Sequence, residues 1–315
     1  FINHIERDMG VPVFWTSKTR PSGPFYTDWI ARLLDKIEAS PDRDPRAVLL
    51  AGIPSAPAQA EAAELCAGLG LRVVGTLFPN LDFTRTPEMD VASAVLWLDP
   101  IGWEGISDEP FLRHGLSVVR YHPPYGLAGT QAWLERIASV LRLDVSEKSR
   151  SRVQEKRASE IGALRAESSR RTVALIGDPS DIELLTSHGR ALGYSLASLL
   201  GEIGFRVRCL VYDGGENENS RSLRRSAVRI GAGTIEFVPF SSRARLDRLL
   251  ARGVDLAFSH LNHDERLNSH GLRGFTEASF ELGIDGLLRS GHRLLSQCSV
   301  RPFPKHRSCL SSWTS

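Results

Sequence analysis

The sequence lacks an apolar run long enough to span a bilayer and lacks the features of a secretory signal. The first ten residues, FINHIERDMG, are polar and acidic. We therefore expect a cytoplasmic protein that does not enter a membrane. The chain opens on Phe instead of Met, which favours a piece of a longer product.

Cysteine and net charge are also scarce. The four cysteines, Cys66, Cys209, Cys298 and Cys309, are far apart and form no CxxC pair. This spacing argues against a disulfide framework or a zinc ribbon. Cys66 and Cys209 are predicted to be buried, and the other two to lie in an irregular tail. The net charge of +2 does not indicate a nucleic acid or a membrane surface as partner.

Three sequence motifs of nucleotide and acyl chemistry are absent as well. There is no GxGxxG, no Walker A motif and no GxSxG elbow. The sequence therefore gives little support to a dinucleotide, an NTP or a serine-hydrolase mechanism.

Alternating strand and helix patterns fill the chain of 315 residues, which is long enough for about two domains. A highly charged segment, residues 146–170, interrupts them and predicts one linking helix, with a disordered linker as the alternative. The alternation predicts an α/β fold with parallel sheets covered on both faces. The predicted strands are 47–52, 71–77, 95–98, 116–119, 172–177, 206–212, 234–239 and 254–259.

Two strand–turn segments repeat each other. AVLLAGIPS (47–55) and TVALIGDPS (172–180) match at both glycines, prolines and serines. Such turns lie at the carboxyl ends of parallel strands, where α/β sheets bind ligands. Ser180 or Asp181 is expected to cap the helix that follows. Each proline removes an amide that a phosphate would need, so the turns more plausibly set the direction of the chain.

Two loops carry the remaining candidate chemistry. Ser17, Lys18 and Arg20 lie in TSKTRPSGPF (16–25), a candidate anion-facing loop. His260, His263 and His270 follow the last predicted strand and are able to ligate a metal or move protons. Ordinary surface loops are the alternative in both places.

The order of these features resembles the nitrogenase component 1 family over about residues 11–295. The resemblance rests on VPVFWTSKTRPSGPFYTDWI, then AVLLAGIPS, then GLRVVGTLFPNLDFTRTPEMDVASAVLWLD. It continues through YHPPYGLAGTQAWLERIASVLRL, RTVALIGDPSD and FTEASFELGIDGLLR. The family includes nitrogenase α and β subunits, cofactor-assembly scaffolds, and relatives that reduce tetrapyrroles or sulfur compounds.

The resemblance implies two successive doubly wound Rossmann-like domains, with a remnant of a third domain at the N-terminus. Residues 1–45 would be that remnant, and 46–145 the first Rossmann-like domain. Residues 146–170 would form the charged linking helix. Residues 171–297 would be the second Rossmann-like domain, followed by an irregular tail at 298–315.

The resemblance also implies a function. The chain would be a subunit of an oxidoreductase that receives electrons from an ATP-dependent iron–sulfur reductase, with a homologous subunit as second partner. An iron–sulfur or other metal cluster would belong to the full complex. Ser17, Lys18 and Arg20 would offset negative charge there, and His263 or His270 would relay protons.

This chain departs from the family at the cluster ligands. VLWLDPIGW (95–103) has no cysteine where the α subunit holds its cofactor, and TEASFELG (276–283) has no histidine. No metal ligand is therefore predicted in this chain. Two other functions stay open: a cofactor-assembly scaffold of the same family, and a non-catalytic binding protein with two α/β lobes.

Overall fold

The computed structural model describes residues 23–35, 42–53, 55–77, 88–98, 105–143, 147–187, 194–213, 229–230, 233–259, 261 and 264–300. The chain divides into two compact units. The first comprises Phe1–Tyr121 and Arg136–Leu143, and the second comprises His122–Glu135 and Asp144–Ser315. Among the described residues, no helix is both long and apolar enough to cross a membrane.

The first unit is built on four parallel strands in the order β2-β1-β3-β4. From Ala47 to Ala51, β1 is a continuous apolar run buried on both faces, and β3 is buried at six of its seven residues, as expected for the middle strands of a parallel sheet. The strands are β1 (Asp44–Ala51), β2 (Arg72–Thr76), β3 (Ala92–Leu98) and β4 (Ser117–Tyr121). The helices are α1 (Gly23–Leu34), α2 (Ala56–Gly68) and α3 (Glu109–Arg113).

Helix α1 packs into the core of this unit. Ile30, Leu33 and Leu34 are buried in one cluster with Leu49 of β1 and Trp97 of β3. Helix α4 (Gly126–Val140) begins in the part of the chain grouped with the second unit, and its last residues are grouped with the first.

The second unit is built on six strands in the order β10-β9-β5-β6-β8-β7. Five of them are parallel, and the two-residue β7 runs antiparallel to β8. The strands are β5 (Thr172–Gly177), β6 (Arg206–Tyr212), β7 (Arg229–Ile230), β8 (Gly233–Phe240), β9 (Leu256–Phe258) and β10 (Arg273–Phe275). The helices are α5 (Glu147–Ser168), α6 (Pro179–Thr186), α7 (Leu196–Ile203), α8 (Arg243–Ala251), α9 (Glu265–Asn268) and α10 (Gly283–Ser299).

Helices cover both faces of this sheet. Val173 and Leu175 of β5 belong to one core cluster, together with residues of α5, α6, α7 and α10. Ala174 and Ile176 belong to another, together with residues of α8 and α9. Successive side chains of a strand point to opposite faces, so the two clusters lie on opposite sides of the sheet. The predicted doubly wound α/β class is confirmed.

Several local predictions need correction: the sequence pattern predicts one helix over 181–204, a loop over 123–130 and a helix over 220–231. The helical run at 181–204 is two helices, α6 and α7, and the expected loop at 123–130 already contains the start of α4. Part of the helical run at 220–231 is strand β7, because Arg229 and Ile230 pair with β8. The tail does not begin at residue 298: α10 continues through Ser299, and Cys298 is a buried helix residue.

The charged segment forms the predicted helix, α5, and part of this helix is buried in the core of the second unit. Ile161 and Leu164 of α5 are buried in the same cluster as residues of α7 and α10. Gly291 of α10 lets Leu164 approach, because a Cβ there would lie 2.6 Å from a Leu164 methyl carbon. The exact domain bounds stay a prediction.

Candidate functional site

The strand order of the second unit creates a crevice at one edge of its sheet. β9 and β6 flank β5, so the chain leaves β5 towards one side and later returns on the other. In open α/β sheets the ligand crevice lies outside the carboxyl ends of the strands at this switch point. A cavity of about 470 Å³ lies there, lined by residues that end β5, β6, β8 and β9.

The cavity walls are mainly apolar. Tyr212 and Phe240, at the ends of β6 and β8, pack ring against ring with centroids 5.5 Å apart. Tyr212 is 46% exposed and Leu261 is 58% exposed. The apolar wall comprises Ile176, Leu185, Tyr212, Phe240, Leu246, Phe258 and Leu261. Two aspartates at the start of α6 and one arginine each of α8 and α9 also line the cavity: Asp178, Asp181, Arg243 and Arg266.

Asp178 and Asp181 form a capping box at the start of α6. Oδ1 of Asp178 accepts from the backbone N–H of Asp181 at 2.9 Å, and Asp181 accepts in return from the N–H of Asp178. The expected cap was Ser180 or Asp181, but the N-cap is Asp178, with Asp181 as its reciprocal partner. The bond from the Asp181 N–H, together with Ser180, holds the pKa of Asp178 below its usual range.

Gly177 makes room for this box. A Cβ at Gly177 would lie 2.5 Å from Cβ of Asp181, closer than two carbon atoms pack. Pro179 occupies the first position of the helix, where no amide is needed. The helix start therefore already holds two carboxylates of its own, so a phosphate would meet negative charge instead of free amides.

Arg266 is fixed by a buried carboxylate. Asp264, whose side chain is only 2% exposed, accepts from Nε of Arg266 at 2.9 Å and from the Ser259 hydroxyl at 2.9 Å. The hydrogen bonds from Arg266 are the main reason that the pKa of Asp264 lies below its usual range. Asp264 also caps α9 by accepting from the backbone N–H of Arg266.

Arg243 is fixed in a similar way. Asp247, one turn further along α8, accepts from Nε of Arg243 at 2.9 Å. The same oxygen lies 2.9 Å from Nε2 of His270. An ionised carboxylate only accepts, so Nε2 of His270 carries the proton. The bond from His270 is the main cause that lowers the pKa of Asp247.

The described residues do not offer ligands for a metal cluster. They contain no group of three or more His, Cys, Asp or Glu side chains that could hold a metal ion. Among the residues that the structure describes, neither cysteine nor histidine lines the cavity. Burial raises the pKa of Cys66 and of Cys209 to about 12, and that of Cys298 to about 11, so none is a ready thiolate.

Of the predicted site residues, the structure describes one. Ser17, Lys18, Arg20 and His263 lie outside the described residues, as does His260. His270 hydrogen-bonds to the carboxylate of Asp247. Arg243 hydrogen-bonds to the same carboxylate and lines the cavity. The roles assigned to these residues stay predictions.

Sequence reasoning missed the two arginines and their carboxylates. The segment SHLNHDERLNSH drew attention for its histidines, whereas its Asp264 and Arg266 form the pair that borders the cavity. The signal was present: an acid and a base two residues apart, in the segment that follows strand β9 at the switch point. Arg243 was hidden inside a helix pattern, because nothing in the sequence shows which helix start faces the crevice.

The protein-family model for the nitrogenase component 1 type oxidoreductase matches residues 26–266. A solved chain titled nitrogenase Cp1 at pH 6.5 aligns with a TM-score of 0.59 and 12% identity, covering 94% of this chain and 68% of that chain. The same protein at pH 5 aligns with a TM-score of 0.59 and 12% identity, covering 95% and 66%. This chain thus spans about two thirds of those chains, and at this identity the likeness shows the fold alone.

A substrate-binding protein of an ABC transporter from Listeria monocytogenes aligns less well, with a TM-score of 0.41 and 10% identity over 80% of this chain and 98% of that one. A likeness at that TM-score carries no argument. A search of curated proteins found no match.

Proposed function

Because the chain belongs to the nitrogenase component 1 type oxidoreductase family, we propose that it is a subunit of a nitrogenase-like oxidoreductase. In this proposal it pairs with a homologous subunit and receives electrons from an ATP-dependent iron–sulfur reductase. The observation that carries the proposal is the family match, which extends through both units. The two doubly wound sheets support it, since they align with a nitrogenase chain over 94% of this one.

The part of this chain that the structure describes does not fit the role of cluster ligand. Its cysteines are buried within helices and a strand, and no described residue of the cavity lining is a cysteine or a histidine. A cluster in the complete complex would therefore depend on other residues for its ligands. What the described residues offer is a shaped, largely apolar crevice with four fixed charges.

Within this function, we propose His270 as a proton relay. Its side chain is 15% exposed and is oriented by Asp247, an arrangement that suits a proton-transferring histidine. His270→Gln in the full-length complex should lower turnover, because an amide cannot take up and release a proton as an imidazole does. Tyr194→Phe, away from this carboxylate, is the matched control. Equal turnover of the two variants would contradict the role.

The main experiment uses the complete reading frame, co-expressed with its homologous subunit and the reductase. Iron content and ATP-dependent oxidation of the reduced reductase are measured, so the substrate need not be known. We expect iron in the complex and oxidation that depends on this subunit. A complex with neither iron nor electron transfer would overturn the proposal.

A cofactor-assembly scaffold is the second candidate, because a cavity whose described residues form no group of metal ligands suits a cargo that must leave again. It predicts a cluster that exchanges to an acceptor protein without ATP-dependent electron transfer. A non-catalytic two-lobed binding protein predicts a lone monomer without iron. The mass of the purified assembly distinguishes the binding-protein hypothesis from the oxidoreductase and scaffold hypotheses.

A further inference from the structure

We propose that the cavity at the carboxyl edge of the second sheet binds an uncharged, largely apolar organic molecule that carries a carbonyl-type oxygen. Its volume of about 470 Å³ suits such a molecule, since ligand pockets usually measure about 300–1,000 Å³ and are mostly apolar. The inference does not rest on the proposed function, because binding requires neither iron nor a reductase.

The apolar wall is the first argument. Tyr212 and Leu261 are two of the few large apolar side chains that the described residues expose strongly, and both border the cavity. A ligand seated between them would remove apolar surface from water, which is favourable by about 25 cal/mol per Å². The Tyr212–Phe240 ring pair offers a face on which a flat molecule can pack.

The charges are the second argument. Arg243 and Arg266 line the cavity, but Asp247 and Asp264 already pair with them. Asp178 and Asp181 add two carboxylates that belong to the capping box. The six side chains together are more acidic than basic, so a phosphate or another anion is disfavoured by like charge.

The remaining donors are the third argument. Nε of each arginine is used on its aspartate, yet the terminal nitrogens of Arg243 have no partner in the part of the chain that the structure describes. The carboxylate fixes the guanidinium, which lowers the entropy lost when a terminal N–H donates to a ligand. A carbonyl oxygen accepts such a bond without adding charge.

Two fluorescent probes of similar size separate uncharged from anionic ligands. Prodan is an uncharged naphthalene with one ketone oxygen, and 8-anilinonaphthalene-1-sulfonate carries a sulfonate. We expect saturable binding of prodan to the full chain, with a Kd at least about tenfold below that of the sulfonate, equivalent to about 1.4 kcal/mol. Equal or tighter binding of the sulfonate, or no binding of prodan, would overturn the proposal.

Variants locate the binding site. Tyr212→Asp should weaken prodan binding by about tenfold, because it places a carboxylate on the apolar wall. Leu112→Asp is its matched control, since Leu112 is 61% exposed and lies in the first unit, so its Kd should not change. Arg243→Met, which has no N–H donor, should weaken prodan binding by about threefold, the loss of one hydrogen bond. Prodan affinity that survives Tyr212→Asp, in a variant with unchanged thermal unfolding, would place the probe elsewhere and refute the inference.

Discussion

The strand–turn segments at β1 and β5 are similar in sequence, but the helices that follow them are capped differently. After β1, Gly52 adopts a left-handed φ of +79°, and the hydroxyl of Ser55 caps α2 by accepting from the N–H of Ala58. After β5, Gly177 does not adopt a left-handed φ, and two aspartates cap α6. The aligned helices begin two residues apart. The segments differ at Ile53 against Asp178 and at Ala56 against Asp181, and these two aspartates give the second unit an acidic cap where the first has a neutral one.

The difference extends to other helix starts of the second unit. The carboxylate of Glu202 accepts from the backbone N–H of Leu127 at 2.6 Å and of Ala128 at 3.2 Å, at the start of α4. Asp264 caps α9. The second unit thus places carboxylates at three helix starts, where the helix dipole favours negative charge. The comparison teaches that its stability depends more on ionised acids than that of the first unit.

Replacing Asp264 should have the largest effect on the free energy of unfolding. Asp264→Ala leaves the Ser259 hydroxyl and the Arg266 guanidinium without their buried partner, and should cost about 3 kcal/mol of the free energy of unfolding. The matched change in the first unit is Asp108→Ala, which removes a carboxylate from the side of Arg120. That pair is more exposed, so we expect about 1 kcal/mol or less. Denaturant unfolding of both variants checks the ranking, and equal losses would contradict it.

Glu202→Ala comes next. It leaves two backbone N–H groups and the hydroxyl of Tyr194, which donates to Glu202 at 2.9 Å, without their acceptor. The free energy of unfolding should therefore fall by about 2 kcal/mol. Tyr194→Phe removes only one of these bonds and should cost about 1 kcal/mol. Hydrogen exchange of the peptide covering the first turn of α4 is the local readout. Exchange there that does not rise more in Glu202→Ala than in Tyr194→Phe would argue against this carboxylate as the anchor.

The sequence allowed the strands and the fold class to be predicted, because continuous apolar runs of β1 and β5 between helix patterns permit few other arrangements. It did not allow the caps to be predicted. Asp178 and Ser180 are both residue types that cap helices, and which of them caps α6 depends on the backbone conformation of the turn. The sequence also did not predict that Arg243 and Arg266 line one cavity, because this depends on the order of the strands in the sheet.

As the pH falls, we expect the second unit to unfold before the first. Asp178, Asp247, Asp264 and Glu281 have lowered pKa values in the second unit, whereas in the described part of the first unit only Asp44 does. A group whose folded pKa is lowered stabilises the fold above its unfolded pKa of about 4, and this stability is lost as pH falls through the folded pKa. Below about pH 4, hydrogen exchange corrected for intrinsic rates should therefore rise earlier in β5 than in β1. Earlier opening of β1 would contradict the comparison.

The smallest effect comes from moving an acid into the neutral cap. The first turn of α2 has no acidic residue, and Ser55 is exposed. Ser55→Asp keeps an oxygen that can accept from Ala58 and adds a negative charge at the positive end of the helix, so we expect a gain of about 0.5 kcal/mol. The gain should shrink in 1 M salt and vanish below about pH 4, whereas the uncharged control Ser55→Asn should show neither dependence. Denaturant unfolding at both salt concentrations tests this, and a salt-independent gain in Ser55→Asp would show that charge is not what distinguishes the two caps.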